Sequence, residues 1–290
     1  MKRRSSSARV AGAALVLAEV AGLLVLERRR PLRLAVKDGR WHDLRNLTLA
    51  ALGGVSLALA QSPLVTPLLR AGERRRWGLL RAARLPPALA DVAAIVLLDY
   101  TQYVWHRLTH EVPFLWRFHE VHHLDRSLTA TTGVRFHPGE LLLAVPFRAL
   151  QVVVLGVSPR ALELWQLLTT AQILFHHANV RLPVRLERAL CTVLVTPRMH
   201  GIHHSLVRAE TDANWGTLLS LFDRLHGTLR LNVPSRAITI GIPAYAKDAD
   251  GTLVRSLALP FRHHLRAWTR PGQIAPTRGR LTLPRDELAD

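Results

Sequence analysis

Long apolar stretches separated by clusters of arginine set the pattern of this chain. Residues 10–26 hold one acidic and no basic residue, residues 46–69 hold no charge, and residues 86–105 hold only Asp91 and Asp99 as charges. A helix that crosses a bilayer needs about 20 mostly apolar residues, so these three segments read as membrane-spanning helices. Residues 141–158 and 161–175 are apolar too, but Arg148, Gln151, Glu163, Gln166 and Gln172 interrupt them. They read as a helical pair that spans, re-enters or packs against the others. The pattern predicts an all-α fold, an integral membrane helical bundle of about four transmembrane helices. Prolines recur at 234, 243, 260, 271, 276 and 284, which predicts a loop-rich tail with one short amphipathic helix near 255–269. The expected organisation is N-terminal transmembrane helices and basic loops over 1–85, a histidine-dense domain over 86–230, and a C-terminal cytosolic tail over 231–290. No small-residue cleavage site precedes Glu27, so the first apolar run is expected as a retained helix with its basic end in the cytoplasm.

Charge narrows the setting. The net charge is +18, and only three of 39 basic residues are lysines. The arginines flank the apolar segments, at 28–30, 33, 70, 74–76, 81 and 84, the distribution of loops that face lipid phosphate. That accounts for the basic excess without nucleic acid, and no zinc-finger, RNP or helix-turn-helix signature accompanies it. The single cysteine, Cys191, excludes an intrachain disulfide and a Cys-based zinc or iron–sulfur site. Abundant Arg, Ala and Leu with little Lys fits a GC-rich bacterial genome, so the expected location is the bacterial inner membrane.

The candidate chemistry lies in the 15 histidines. His106 and His110 lie four apart at the end of the third apolar segment. At ~1.5 Å per residue, the run from Pro87 to His110 is ~36 Å long, so both emerge at the membrane surface. Pro113 ends that helix, and a new one near Trp116 carries His119, His122 and His123. The MHGIHHS segment repeats the arrangement with His200, His203 and His204. HxxxH, HxxHH and HxxHH place eight imidazoles at helical spacing. One metal takes four to six ligands, so eight imply two metals, and imidazole suits Zn, Cu, Fe and Ni. A carboxylate-bridged di-iron bundle needs two ExxH motifs and two further glutamates. Only Glu120–His123 occurs in this region, so the site reads as nearly all histidine. Asp99, two turns before His106, is expected to partner a metal-bound histidine from behind, with a structural aspartate as the alternative. Trp105 and Trp116 are expected as interfacial anchors. His137, in RFHPGE, resembles a haem-binding HPGG, but Glu140 replaces a glycine and no haem domain surrounds it. His42, His226, His263 and His264 are expected on the surface or in structural roles.

Together the segments DYTQYVWHRLTH, LWRFHEVHHLD, TGVRFHPGE, FHHANV, MHGIHHS and NWGTLLSLFDRLHGT resemble the fatty acid hydroxylase / sterol desaturase superfamily, from about Asp91 to Thr228. The resemblance implies an O2-dependent oxygenase with two iron ions, zinc being a possible substitute, in a cytosolic cap over a membrane helix bundle. It implies His106, His110, His119, His122, His123, His200, His203 and His204 as ligands, with His177, two residues before Asn179, as a further one. His176 and His137 are secondary candidates. Hydroxylation or desaturation of a fatty acyl chain, a sterol-like lipid or a carotenoid would follow. Electrons would come from a separate ferredoxin, rubredoxin or cytochrome. A metal transporter would place its histidines at mid-bilayer, and a non-catalytic metal-binding scaffold needs no O2; these are the alternatives.

Overall fold

The structure, a computed structural model, describes residues 2–34, 39–262, 267–269, 275–279, 281 and 283–289. The architecture is carried by α1 (Lys2–Arg29), α2 (Gly39–Arg75), α3 (Leu79–Ala82), α4 (Pro87–Glu111), α5 (Pro113–His123), α6 (Pro138–Leu155), α7 (Pro159–His177), α8 (Val184–Leu190) and α9 (Pro197–His203). Among the described residues there is no strand, only isolated bridges such as Pro31–Val180. The fold is all-helical, as the apolar pattern predicts.

Among the described residues, two stretches are long and apolar enough to cross a membrane, Trp41–Ala82 and Pro138–Leu155. The second takes in most of 141–158 despite Arg148, and Asp91, Asp99 and a polar second half make 86–105 less apolar. The long helices pack side by side: α2 lies along α6, α4 against α7, and α1 against α7. Val65, Leu98, Val152, Leu162 and Trp165 form the shared core. Exposed apolar side chains, such as Leu17, Leu59, Val92 and Leu150, cover the outer faces.

Local chemistry sets the helix boundaries. Ser158 caps α7 by accepting from Ala161 N at 2.9 Å. Gly78 (φ 94°) and Gly156 (φ 71°) bring the end of α6 against the turn before α3. A Cβ on Gly156 would stand 2.3 Å from the Trp77 carbonyl oxygen, so the contact requires glycine on steric as well as conformational grounds. Pro113 opens α5 at its first position, where its missing N–H costs nothing. The second histidine helix therefore begins before Trp116.

Beyond residue 230 the chain is loop-rich, with a helix at Leu253–Ala258 and a 3-10 turn at Leu259–Phe261. His263, His264 and the rest of 263–266, within the expected helix 255–269, lie outside the described residues. Ile242, Tyr245 and Leu259 of this tail pack with Leu49, Trp116 and Val121. Arg33 does not face headgroups. It is buried, and its Nη1 donates to the Pro197 carbonyl at 3.2 Å, pinning the start of α9.

Candidate metal centre

Four helix ends converge on one place. The last turns of α4 bring His106 and His110, α5 brings His119, His122 and His123, and the end of α7 brings His176 and His177. The α9 segment brings His200, His203 and His204. Nine of these ten form two groups, in each of which the ligand atoms lie within 4.8 Å of one another. His106, His110, His119, His123 and His203 make the first; His122, His177, His200 and His204 make the second.

Helix geometry explains how two short motifs serve two centres. Positions four apart are 40° apart around a helix, and positions three apart are displaced 60° the other way. So the outer histidines of each HxxHH stay together while the middle one turns to the other group. His119 and His123 share the first group and His122 joins the second. His200 and His204 share the second and His203 joins the first. Offsets of three and four therefore straddle the two groups instead of sharing one face.

The donors are poised for cations. His106 Nδ1 donates to the Trp215 carbonyl at 2.9 Å, His177 Nδ1 to Ile173 at 2.8 Å and His203 Nδ1 to Ala213 at 2.9 Å. His119 Nδ1 pairs with Glu140 Oε1 at 2.8 Å. These contacts hold the proton on Nδ1 and leave an Nε2 lone pair facing inward. His119 Nε2, His123 Nε2, His203 Nε2, both nitrogens of His110, and Nδ1 of His122, His200 and His204 are buried without any hydrogen-bond partner. An unsatisfied buried polar atom costs about 1–3 kcal/mol, so the clustered Nε2 atoms of the first group point to a shared partner. In the second group, His177 Nε2 lies 3.0 Å from both His122 Nε2 and His200 Nε2. Burial, then mutual repulsion between neighbouring rings, pushes His122, His123, His200, His203 and His204 well below the usual imidazole range. That direction favours the neutral ring, which metal ligation requires. All-imidazole donors of this kind fit iron or zinc.

Other sequence-predicted residues sit elsewhere. Among the described residues Asp99 hydrogen-bonds no histidine. Its carboxylate accepts from Leu218 N at 3.1 Å and Leu219 N at 3.0 Å, holding the loop whose Trp215 and Thr217 carbonyls accept from His106 and His176. It is the structural aspartate of the alternative reading. His137 lies in neither group. It caps α6 through Gly139 N at 2.9 Å, and its Nε2 reaches the Leu257 carbonyl at 3.2 Å. His176 lies outside both groups as well, its Nδ1 on Thr217, though its ring stands 4.1 Å from His200. Trp116 is no interfacial anchor: it is buried, 4.8 Å from His110 and stacked on Trp268. Trp105 packs on Phe147 and lines the chamber described below. His42 is structural, and with Asn46 and Thr132 it hydrogen-bonds Asp125. Burial would raise the Asp125 carboxyl, but the His42 contact and the nearby Arg135 hold it far below the carboxylate range, fixing the residue that closes the first HxxHH helix. His226 stacks on Tyr103.

Sequence reasoning missed Glu140 and Trp215. Glu140 stood only as a mismatch to a haem motif, and Trp215 acts through its backbone carbonyl, which no residue pattern reveals. The histidines edge a small chamber of about 50 Å³, lined also by Gln102, Trp105, Phe136, Glu140 and Ile173. That suffices for one or two water-sized molecules. The same five residues help line a second cavity of about 880 Å³ between α2, α4, α6 and α7. The two spaces meet at that shared wall.

Residues 92–228 match the fatty acid hydroxylase family. The chain is 32% identical to an ornithine lipid hydroxylase of Rhizobium tropici over 84% of this chain and 74% of the relative. It is 32% identical to human cholesterol 25-hydroxylase over 49% of this chain and 52% of that enzyme. It is 27% identical to human alkylglycerol monooxygenase over 47% and 29%, respectively. No solved structure matches it. The span of the first relative, together with the paired histidine groups, shows that this chain belongs to the fatty acid hydroxylase family of lipid-hydroxylating oxidoreductases.

Proposed function

We propose that the protein is an O2-dependent hydroxylase of a membrane lipid, holding two iron ions on the cytoplasmic side of the bacterial inner membrane. The observation that carries this reading is the pair of buried histidine groups beside a cavity between the long helices. His106, His110, His119, His123 and His203 would hold one iron, and His122, His177, His200 and His204 the other. Bound iron supplies the redox chemistry that no side chain offers. The net reaction converts C–H, O2, two electrons and two protons into C–OH and water.

The chain's own residues supply position and dryness. The Nδ1–H groups of His106, His177 and His203 are anchored on backbone carbonyls, so the rings do not turn when the metals change charge. Trp215, 4.7 Å from His110 and 5.2 Å from His203, and Trp116, 4.8 Å from His110, pack apolar rings against the first group. Glu140 holds the Nδ1 proton of His119 at 2.8 Å. In this reading α1, α2, α4 and α6 cross the bilayer and α5 and α9 form the cap. Their exposed apolar faces meet acyl chains, and substrate enters between them. Electrons come from a separate ferredoxin, rubredoxin or cytochrome, and the net charge of +18 favours an acidic one. Hydroxylation is preferred over desaturation because the matched relatives are named as hydroxylases and monooxygenases.

Metal content of the detergent-purified chain tests the reading. We expect two equivalents of iron, or of zinc acquired during expression. His203→Ala should lose one equivalent from the first group and His200→Ala one from the second. Less than one equivalent in the wild type after anaerobic iron reconstitution would favour a non-catalytic scaffold. Two equivalents without O2-dependent change in the lipids of expressing cells would favour transport.

A further inference from the structure

Arg148 is a cation inside the helical bundle, and among the described residues no acidic side chain pairs with it. It belongs to the stretch Pro138–Leu155, which is apolar enough to span a membrane, and it lines the larger cavity. Its guanidinium donates to Gln151 Oε1 and, at 3.4 Å, to Gln102 Oε1, and it lies 4.1 Å from the centre of the Trp165 ring. Gln151 in turn donates to Thr101 Oγ1. Among the described residues, none of the acidic side chains lining the cavity, Glu73, Glu140 and Glu163, pairs with Arg148.

Two amide oxygens and an aromatic face orient a guanidinium without neutralising it. A charge at membrane depth is costly unless something offsets it. Tying α4 to α6 would need no charge, since a neutral amide at position 148 could bridge Gln102 and Gln151. What the guanidinium adds is a planar fork of donors matched to a carboxylate or a phosphate. Its plane is already fixed by Trp165 and the two glutamines, and it opens on a cavity large enough for a lipid.

We propose that Arg148 binds an anionic group of the lipid substrate, a carboxylate or a phosphate, and selects such lipids over neutral ones. This rests on the reading of the site as a lipid hydroxylase. Gln102 lines both the cavity and the histidine chamber. It precedes His106 by four residues, one turn and ~6 Å along α4. The anionic group is therefore held close to the metal ligands, and the oxidised carbon lies near that group.

Equilibrium binding to the full, zinc-loaded chain in detergent, at a pH where both acids are ionised, tests this. The probes are stearate, stearyl phosphate and methyl stearate. We expect the wild type to bind one or both anions at least about tenfold more tightly than the ester, the size of one charge-assisted pair. Stearate binding alone assigns a carboxylate, and stearyl phosphate binding alone a phosphate. Arg148→Gln should erase the preference while leaving methyl stearate binding unchanged, and Arg148→Lys should keep part of it. Equal binding of all three probes by the wild type would overturn the proposal, and needs no variant to fold. So would an Arg148→Gln chain that loses anion and ester binding alike, because the arginine would then be only a structural tie. The assay reads binding without turnover, and zinc content is measured on the same sample. A chain lacking redox activity therefore still tests Arg148, and a chain lacking metal refutes the hydroxylase reading separately.

Discussion

At the residue scale, the site depends on a few close contacts that fix imidazole rings. Gly133 sits under the second group. A Cβ there would stand 2.9 Å from the Ile173 carbonyl oxygen and 3.2 Å from His177 Nδ1. Those two atoms form the hydrogen bond that orients His177. Gly133→Ala should therefore displace His177 and weaken metal binding in the second group by about tenfold or more, in line with the loss of a ligand-orienting partner. The first group should keep its metal, and zinc titration with a chromogenic competitor would read the two sites apart. A second prediction concerns protons. His122, His123, His200, His203 and His204 have folded-state pKa values well below the unfolded imidazole value of 6.5. Below that value the unfolded chain binds protons that the folded chain refuses, so stability falls as pH drops. Above it the difference disappears. The metal-free protein should lose thermal stability steadily on acidification through pH 6.5 and gain little above it. A melting temperature independent of pH from neutral to mildly acidic would contradict the buried neutral state of these rings.

At the element scale, the loop after α9 does as much for the centre as the helices do. Asp99 on α4 accepts two backbone N–H groups of that loop, Leu218 and Leu219, and is fully buried. Asp223 accepts from Trp215 N and Gly216 N at 2.8 Å. Asn214 holds the left-handed conformation at φ 57° and bonds Met199 and Arg230 through its side chain. These ties set the carbonyls on which His106, His176 and His203 rest. Asp99→Asn replaces an acceptor oxygen by a donor facing an N–H. It should cost about 1–3 kcal/mol of stability and lower metal occupancy of the first group, though Asp99 is no ligand. Chemical denaturation with parallel metal analysis checks both. The sequence already showed the three histidine motifs, because helical spacing makes ligand faces visible as a pattern. It did not show that the middle histidine of each HxxHH belongs to the opposite group, since that depends on how α5 and α9 face each other across the centre. Nor did it show the anchoring by backbone carbonyls, which carry no residue identity. Asp99 was misread for a related reason: its place on α4 suggested a partner along the helix, and the real partners lie more than a hundred residues away.

At the scale of the whole molecule, four helices enclose a cavity of about 880 Å³ that ends at the histidine chamber. The apolar pattern made the helices legible. The cavity was not, because it is the space left beside small residues such as Gly54, Ala58 and Ala144 once the four helices have packed. If the cavity is the substrate's path, filling it should separate binding of lipid from binding of metal. Ala144 lies on α6 one turn before Arg148, on the cavity wall. Ala144→Trp would place a large ring in that space without touching a histidine. The variant should retain both metals and its fold while lipid oxidation falls by about tenfold or more, as expected when a reacting group is displaced by about an ångström. A residual product is as informative as the loss. With the anionic group held at Arg148, one turn from Ala144, a narrowed cavity still admits the segment nearest that group. Fragmentation mass spectrometry should then find the hydroxyl close to the charged end in wild type and variant alike. A hydroxyl moved toward the far end of the chain would mean that lipid enters with its tail toward the metals, and that Arg148 holds the last part of the substrate to arrive.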